Sequence, residues 1–339
     1  MATAPTLALI GHLESADAYA SVLNAARGDD LRPLSPEEVR ALLREMDPMP
    51  LCDLVLRSSR GRSVQARYFE LGLLVENGFS LARALRKVKA ACAQARQMGA
   101  RLGTLGGFSS IVAEGAGMDP SAEFGLPFTT GNTLTAAVIA EQVTQLPISL
   151  TDATVAIVGA GGDVGSGVAR ILARRGGRML LVGRVPGALE GLEAELGGSR
   201  VARWEEAAPR SDVVVLVASA TRGAVPLAGV PEDAFILDAG HPPNGTGGRR
   251  RYAIAGRVSH DEWPVCDLPA VLDTRYEPGE AHACLAEGEV LALEGRWECF
   301  SGRRGRIVPE RAAEILALAQ RHGVRPAPLL FRASACASP

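Results

Sequence analysis

Residues 155–167 read VAIVGAGGDVGSG, and no other stretch limits the fold of this chain as much. A β-branched apolar run at 154–158 is followed at once by a glycine cluster, and a helical pattern runs from 164 to 175. A strand that turns sharply into a helix needs glycine where the backbone bends and where it approaches a neighbour. Gly159 permits the tight turn, Gly161 or Gly162 permits close approach to a pyrophosphate, and Gly165 lets the helix pack on the strand. Asp163 and Val164 open the helix, whose first N–H groups face the phosphates. A preceding strand and a following helix separate a dinucleotide fingerprint from an ordinary glycine-rich turn.

Strand and helix continue to alternate after this motif. Strands are expected at 179–182, 213–217 and 235–237, with helices at 164–175 and 189–196. Such an order predicts an α/β fold, a Rossmann domain with a parallel sheet and helices on both faces. The second strand ends Leu181-Val182-Gly183-Arg184, without the acid that binds ribose hydroxyls in NAD enzymes. A guanidinium at Arg184 suits the 2′-phosphate of NADP, so the expected cofactor is NADPH. Ser219 and His241 follow later strands, where they either approach the cofactor or serve as ordinary loop residues.

On either side of this domain the pattern changes. Residues 1–150 are expected to form an α/β substrate domain, 151–275 the Rossmann domain, and 276–339 a helical segment. In the first, 7–10 and 51–56 read as strands and 15–26 as a helix, and Ser35-Pro36 starts another helix. Leu81, Leu85, Val88, Cys92 and Ala95 recur at helical spacing over 81–98, and Gly99 ends that helix. Residues 103–107 read as a glycine-rich turn. Helices are expected at 281–295 and 309–322.

Composition excludes several classes. The 339 residues are 47% hydrophobic and 22% charged with a net charge of −2, which gives no electrostatic case for binding nucleic acid. The basic groups Arg249-Arg250-Arg251 and Arg303-Arg304-Gly305-Arg306 are solvated loops or a landing patch for an acidic partner. The least charged stretch, 124–140, falls short of a membrane span, and residues 1–10 do not make a leader. Six scattered cysteines form no CxxC pair and no zinc spacing, so no metal is expected and a reducing, cytoplasmic setting is.

Cys284 is the cysteine of interest. Pro278 and Gly279 precede the last-but-one helix, so Cys284 falls in its first turns, where the helix dipole stabilises a thiolate. The alternative is a buried apolar cysteine. His282, two residues away, does not share its helical face.

The chain resembles the long-chain acyl-[acyl-carrier-protein] reductases described in cyanobacteria. The similarity is carried by Leu9-Ile10-Gly11-His12-Leu13, Ala66-Arg67-Tyr68, Leu105-Gly106-Gly107-Phe108-Ser109-Ser110-Ile111 and Phe128-Thr129-Thr130-Gly131-Asn132-Thr133. It continues through the loop 159–166, Ala283-Cys284 with Ala286-Glu287, Leu293-Glu294-Gly295 and Arg321-His322-Gly323. The motifs are short, but they keep one order over nearly the whole chain. The resemblance implies reduction of a fatty acyl thioester to an aldehyde with NADPH, through a thioester on the cysteine that Cys284 matches. It also implies an acyl carrier protein or acyl-CoA as donor and an aldehyde-consuming enzyme as partner. Gly106 and Gly107 are expected to place the substrate; Thr130 and Asn132 either join them as donors or cap the helix before Leu134. The arginine-rich loop 238–257, and His282 and Ala283 where large apolar residues are usual, depart from the family pattern. The rival readings are a reductase of specialised carrier-bound acyl groups, a dehydrogenase of a free small molecule, and a non-enzymatic NADP-binding protein.

Overall fold

Apolar side chains that alternate along a strand can cover both faces of a sheet only if each face meets another layer. This holds twice in the chain, in two compact units. The computed structural model describes residues 4–13, 15–27, 31–75, 79–184, 189–218, 225–246, 251–260, 279–302 and 307–331. The first unit comprises Met1–Gly131, His260–Gly302 and Leu318–Val324; the second comprises Asn132–Ser259, Arg303–Ala317 and Arg325–Pro339. The expected boundaries at 150 and 275 differ from this division, because the C-terminal segment is shared between the units instead of standing as a third.

In the first unit the strands are β1 (Leu7–Gly11), β2 (Met49–Arg57), β3 (Ser63–Glu70), β4 (Leu102–Leu105) and β5 (Phe128–Thr129). Their order is β2-β3-β1-β4-β5, parallel throughout except for β2, which runs antiparallel to β3. The helices are α1 (Ala16–Arg27), α2 (Pro36–Glu45), α3 (Leu81–Gln97), α4 (Phe108–Gly115) and α5 (Pro120–Phe124). Ser35 and Glu38 form a reciprocal capping box at the start of α2, as Ser35-Pro36 predicts. Val88, Cys92 and Ala95 of the expected stripe on α3 are buried, but the face is rotated at its start. Leu81 is exposed and Leu85 half-buried, and Ala84 and Ala91 complete the buried set that packs on Ala8, Ile10 and Phe69 of the sheet. Residues 102–105 are a strand, where a turn was expected to begin at 103. Gly103 sits in that strand because a side chain there would overlap the Phe128 ring, and the turn starts at Gly106.

The second unit begins with α6 (Asn132–Thr144), which starts inside the uncharged stretch 124–140 and runs past its end. This helix is apolar nearly all round because it is buried nearly all round. Then follow β6 (Thr154–Val158), α7 (Asp163–Arg174), β7 (Arg178–Val182), α8 (Glu190–Glu195), β8 (Arg200–Ala202), α9 (Trp204–Ala207) and β9 (Val213–Leu216). Two short strands, β10 (Val225–Pro226) and β12 (Gly245–Thr246), pair beside β11 (Phe235–Asp238), and β13 (Arg251–Ile254) ends the large sheet. That sheet is parallel with order β13-β11-β9-β6-β7-β8. Val155, Ile157, Val213, Val215 and Leu237 face α6 and α7. Ala156, Val158, Val214, Leu216 and Ile236 face the layer built by α9, Leu227 and Val230. This is the doubly wound arrangement predicted from the alternation, with its topological reversal at β6.

The chain then supplies α10 (Ala283–Glu294) to the first unit and α11 (Pro309–Arg321) to both. Nine of the twelve residues of α10 are buried, and it lies on β1, β3 and β4. Its far end is tied by a relay of three side chains. The Ser58 hydroxyl meets His322 Nδ1 at 2.8 Å, and His322 Nε2 meets the Glu294 carboxylate at 2.7 Å. Burial lowers the His322 pKa, so the ring is neutral at pH 7: Nε2–H donates to Glu294 and Nδ1 accepts from Ser58.

Candidate functional site

Cys284 is the second residue of α10, and the helix has no side-chain cap, since its cap residue His282 supplies only backbone. Three glycines let the start of α10 sit against the sheet. A side chain at Gly131, whose φ is +71°, would overlap the carbonyl oxygen and Cα of Cys284 itself. One at Gly106 would come within 2.5 Å of the Leu285 side chain, and one at Gly288 would overlap the Thr104 hydroxyl. Gly106 and Gly107 were expected near the substrate, and both lie at this helix start. Gly131 and Gly288 were missed, because a glycine code names a permissive backbone but not what approaches it.

The sulfur is half-buried and receives the backbone N–H groups of Gly107 and Leu285. Gly107 has a φ of 59° and a ψ of −134°, a backbone conformation that glycine adopts and that other residues rarely do. Burial pushes the Cys284 thiol above the ordinary thiol range; the backbone N–H groups of Gly107, Leu285 and Cys284 itself pull the other way, and burial wins. The helix start favours thiolate as the sequence suggests, but the thiol rests protonated near neutral pH, which corrects the expectation of a thiolate there.

A polar clasp holds the strand end beside Cys284. The Thr129 hydroxyl donates to Glu287 Oε1, and the Ser301 hydroxyl donates to Glu287 Oε2 at 2.9 Å. Ser301 N–H donates to Thr129 Oγ1 at 2.9 Å, and Thr130 N–H donates to the Ser301 carbonyl at 2.8 Å. The Thr130 hydroxyl, next to Gly131, is buried and has no partner among the described residues. An orphaned hydroxyl costs about 1–3 kcal/mol, a cost that ligand contact can offset.

In the second unit, the loop after β6 has the features a pyrophosphate requires. At Gly159, φ is +99° and a side chain would press on the Val217 and Ala218 backbone; one at Gly165 would overlap the Gly159 carbonyl. Gly161 is exposed, and Gly162 starts α7 with no side-chain cap, so backbone N–H groups at that end are offered to an acceptor. Val164 packs against the unit's core, and Asp163 is buried and accepts from the Asn132 amide at 3.0 Å. Asn132 therefore braces this loop and belongs to the second unit, whereas Thr130 belongs to the first.

Arg184 stands just past β7, exposed, and forms no ion pair with another described residue. The glycines and the uncapped start of α7 fit a dinucleotide pyrophosphate. Asp238, unremarked in the sequence except as a strand end, is fully buried and takes hydrogen bonds from Gly240, Asn244 and Gly245 N–H and from the Tyr252 hydroxyl. Burial raises its pKa against those four donors, and it organises the loop that carries His241. Ser219 lies outside the described residues, as do Arg303, Arg304 and Arg306.

No family model matches the chain. Among solved structures, L-tryptophan dehydrogenase from Nostoc punctiforme aligns over 94% of this chain and 80% of its own, at 12% identity and a TM-score of 0.34. The nucleotide-binding domain of glutamyl-tRNA reductase from Thermoplasma volcanium aligns over 34% of this chain and 80% of its own, at 16% identity and a TM-score of 0.28. Far more of the sequence is shared with the long-chain acyl-[acyl-carrier-protein] reductase of Synechococcus elongatus, at 33% identity over 341 residues, 94% of this chain and 98% of that one. At that identity over nearly the full length of both, the chain belongs to the family of long-chain acyl-[acyl-carrier-protein] reductases.

Proposed function

We propose that the chain is an NADPH-dependent reductase that converts a fatty acyl thioester to an aldehyde through a thioester on Cys284. The observation that carries the reading is the seat of Cys284: a cysteine in the first turn of a buried helix, with two backbone N–H groups of other residues at its sulfur. A structural cysteine in a core has no need of such donors. Family membership supports an acyl carrier protein thioester as the acyl donor, with acyl-CoA as the alternative carrier. No described helix is long and apolar enough to cross a membrane.

The Cys284 sulfur attacks the acyl carbonyl, its proton passes to the departing carrier sulfur, and a carbon–sulfur bond to Cys284 replaces the one to the carrier. Because burial holds the thiol protonated, the proton leaves as the bond forms, and the N–H of Gly107 offsets charge as it develops on the sulfur. The Thr130 hydroxyl serves as a donor to the acyl oxygen, which accumulates charge in both halves of the reaction. When bound, NADPH supplies the hydride that the thioester carbon receives. Cleavage of the carbon–sulfur bond then frees the aldehyde and returns Cys284, which regains a proton. Gly159, Gly161, Gly162 and Gly165 would hold the pyrophosphate, and Arg184 the 2′-phosphate. An aldehyde released in this way calls for an enzyme that consumes it.

The test is the intact mass of the protein after mixing with a long-chain acyl carrier protein in the absence of NADPH. An acyl adduct on Cys284 that disappears with aldehyde release when NADPH is added is the expected result. Near-normal turnover by Cys284→Ala would refute the covalent route.

A further inference from the structure

His12 is 6% exposed, and both of its ring nitrogens are engaged. Nδ1 lies 2.9 Å from the Leu13 carbonyl, which can only accept, so Nδ1 carries the hydrogen. Nε2 accepts the Phe108 N–H at 2.9 Å. The ring is therefore the neutral Nδ1–H tautomer, and it caps α4, a helix whose own cap residue Gly107 offers no side chain. Phe108 N–H belongs to the peptide on one side of Gly107. The peptide on the other side carries the Gly107 N–H that reaches the Cys284 sulfur. Its carbonyl, that of Gly106, accepts the Ser109 hydroxyl at 2.6 Å. One residue earlier, Gly106 N–H is tied to the Ile10 carbonyl at 2.8 Å, so the end of β1 holds the segment on both sides of Gly107.

Gly107 has no side chain to favour its conformation, and a glycine visits positive and negative φ about equally. Its N–H points at sulfur only while both flanking peptides are held. We infer that His12 and Ser109 are positioning residues that lock the Gly106–Gly107 peptide with its N–H toward Cys284. His12 takes the N–H of one peptide and Ser109 the carbonyl of the other. Neither side chain is assigned contact with substrate; each acts through Gly107. The inference rests on Cys284 as the reacting thiol, but its test reads the thiol without substrate and so stands or falls apart from the covalent mechanism.

The experiment measures the pH dependence of Cys284 alkylation by iodoacetamide in the full chain, with peptide mass spectrometry to separate Cys284 from the other cysteines. His12→Asn keeps a donor for Leu13 but loses the acceptor for Phe108; His12→Gln keeps an acceptor at the Nε2 position. With the N–H no longer held on sulfur, the midpoint for His12→Asn should rise by about one pH unit. Ser109→Ala should move in the same direction, and His12→Gln should stay near wild type. A wild-type midpoint in His12→Asn, or an equal rise in His12→Gln, overturns the proposal, because a purely structural histidine would not distinguish the two amides. Should His12→Asn fail to fold by circular dichroism, Ser109→Ala decides, and an unshifted midpoint there overturns it.

Discussion

Glu70 offers the most quantitative check on the unit that carries Cys284. It closes β3, is 4% exposed, and accepts from the Tyr19 hydroxyl at 2.6 Å, Gly72 N–H at 2.9 Å and the Tyr68 hydroxyl at 3.3 Å. Burial outweighs these donors and raises its pKa from 4.5 to about 7. Between those two values the unfolded chain has already lost the proton that the folded chain still binds, so stability must fall as pH rises. The contribution is fully present below 4.5 and gone above about 7. Integrated between about pH 5 and about pH 8.5, a shift of this size amounts to about 2.5 kcal/mol. Glu70→Gln keeps the shape and an acceptor but cannot titrate. Urea denaturation of both proteins at the two pH values isolates Glu70, because every other group is common to both curves. The wild type should lose about 2.5 kcal/mol more than Glu70→Gln on going to the higher pH. Parallel curves would refute the reasoning, and a steeper loss in the variant would reverse its sign.

Three further changes probe the sites. Gly131→Ala places a methyl on the Cys284 backbone at a left-handed position, so the first unit should lose about 2–5 kcal/mol in urea denaturation and the acyl adduct should not form. Thr130→Val removes an orphaned buried hydroxyl, so stability should hold or rise by about 1 kcal/mol. Turnover should nonetheless fall about 100-fold if that hydroxyl meets the acyl oxygen, and unchanged turnover would remove Thr130 from the mechanism. Arg184→Ala should weaken NADPH about 10- to 100-fold by fluorescence titration and leave NADH nearly unaffected; equal loss of both would assign Arg184 no role at the 2′-phosphate.

What was legible in the sequence is what local rules control. The β-branched run before Gly159 announces its strand and buried faces, and the spacing of Leu81, Leu85, Val88, Cys92 and Ala95 announces α3. Of these five only Val88, Cys92 and Ala95 lie on the buried face, which Ala84 and Ala91 complete while Leu81 is exposed. The helix that starts beside Cys284 was equally plain, because Gly279 and the apolar run after it are neighbours in the chain. Its surroundings were not. The N–H groups at the sulfur come from residues 107, 284 and 285, Gly131 meets the Cys284 backbone, and the hydrogen bonds beside them involve residues 12, 109 and 301, so no window of sequence contains them. The same limit explains why the thiol came out in the wrong protonation state. The helix dipole that lowers a thiol pKa is a property of position in an element and can be read locally. The desolvation that raises it depends on what other elements place over the sulfur, and here that opposing effect is the larger. On the proposed mechanism a protonated resting thiol must lose its proton as it attacks, so the N–H of Gly107, and not the helix start alone, is the group whose displacement the alkylation experiment should register.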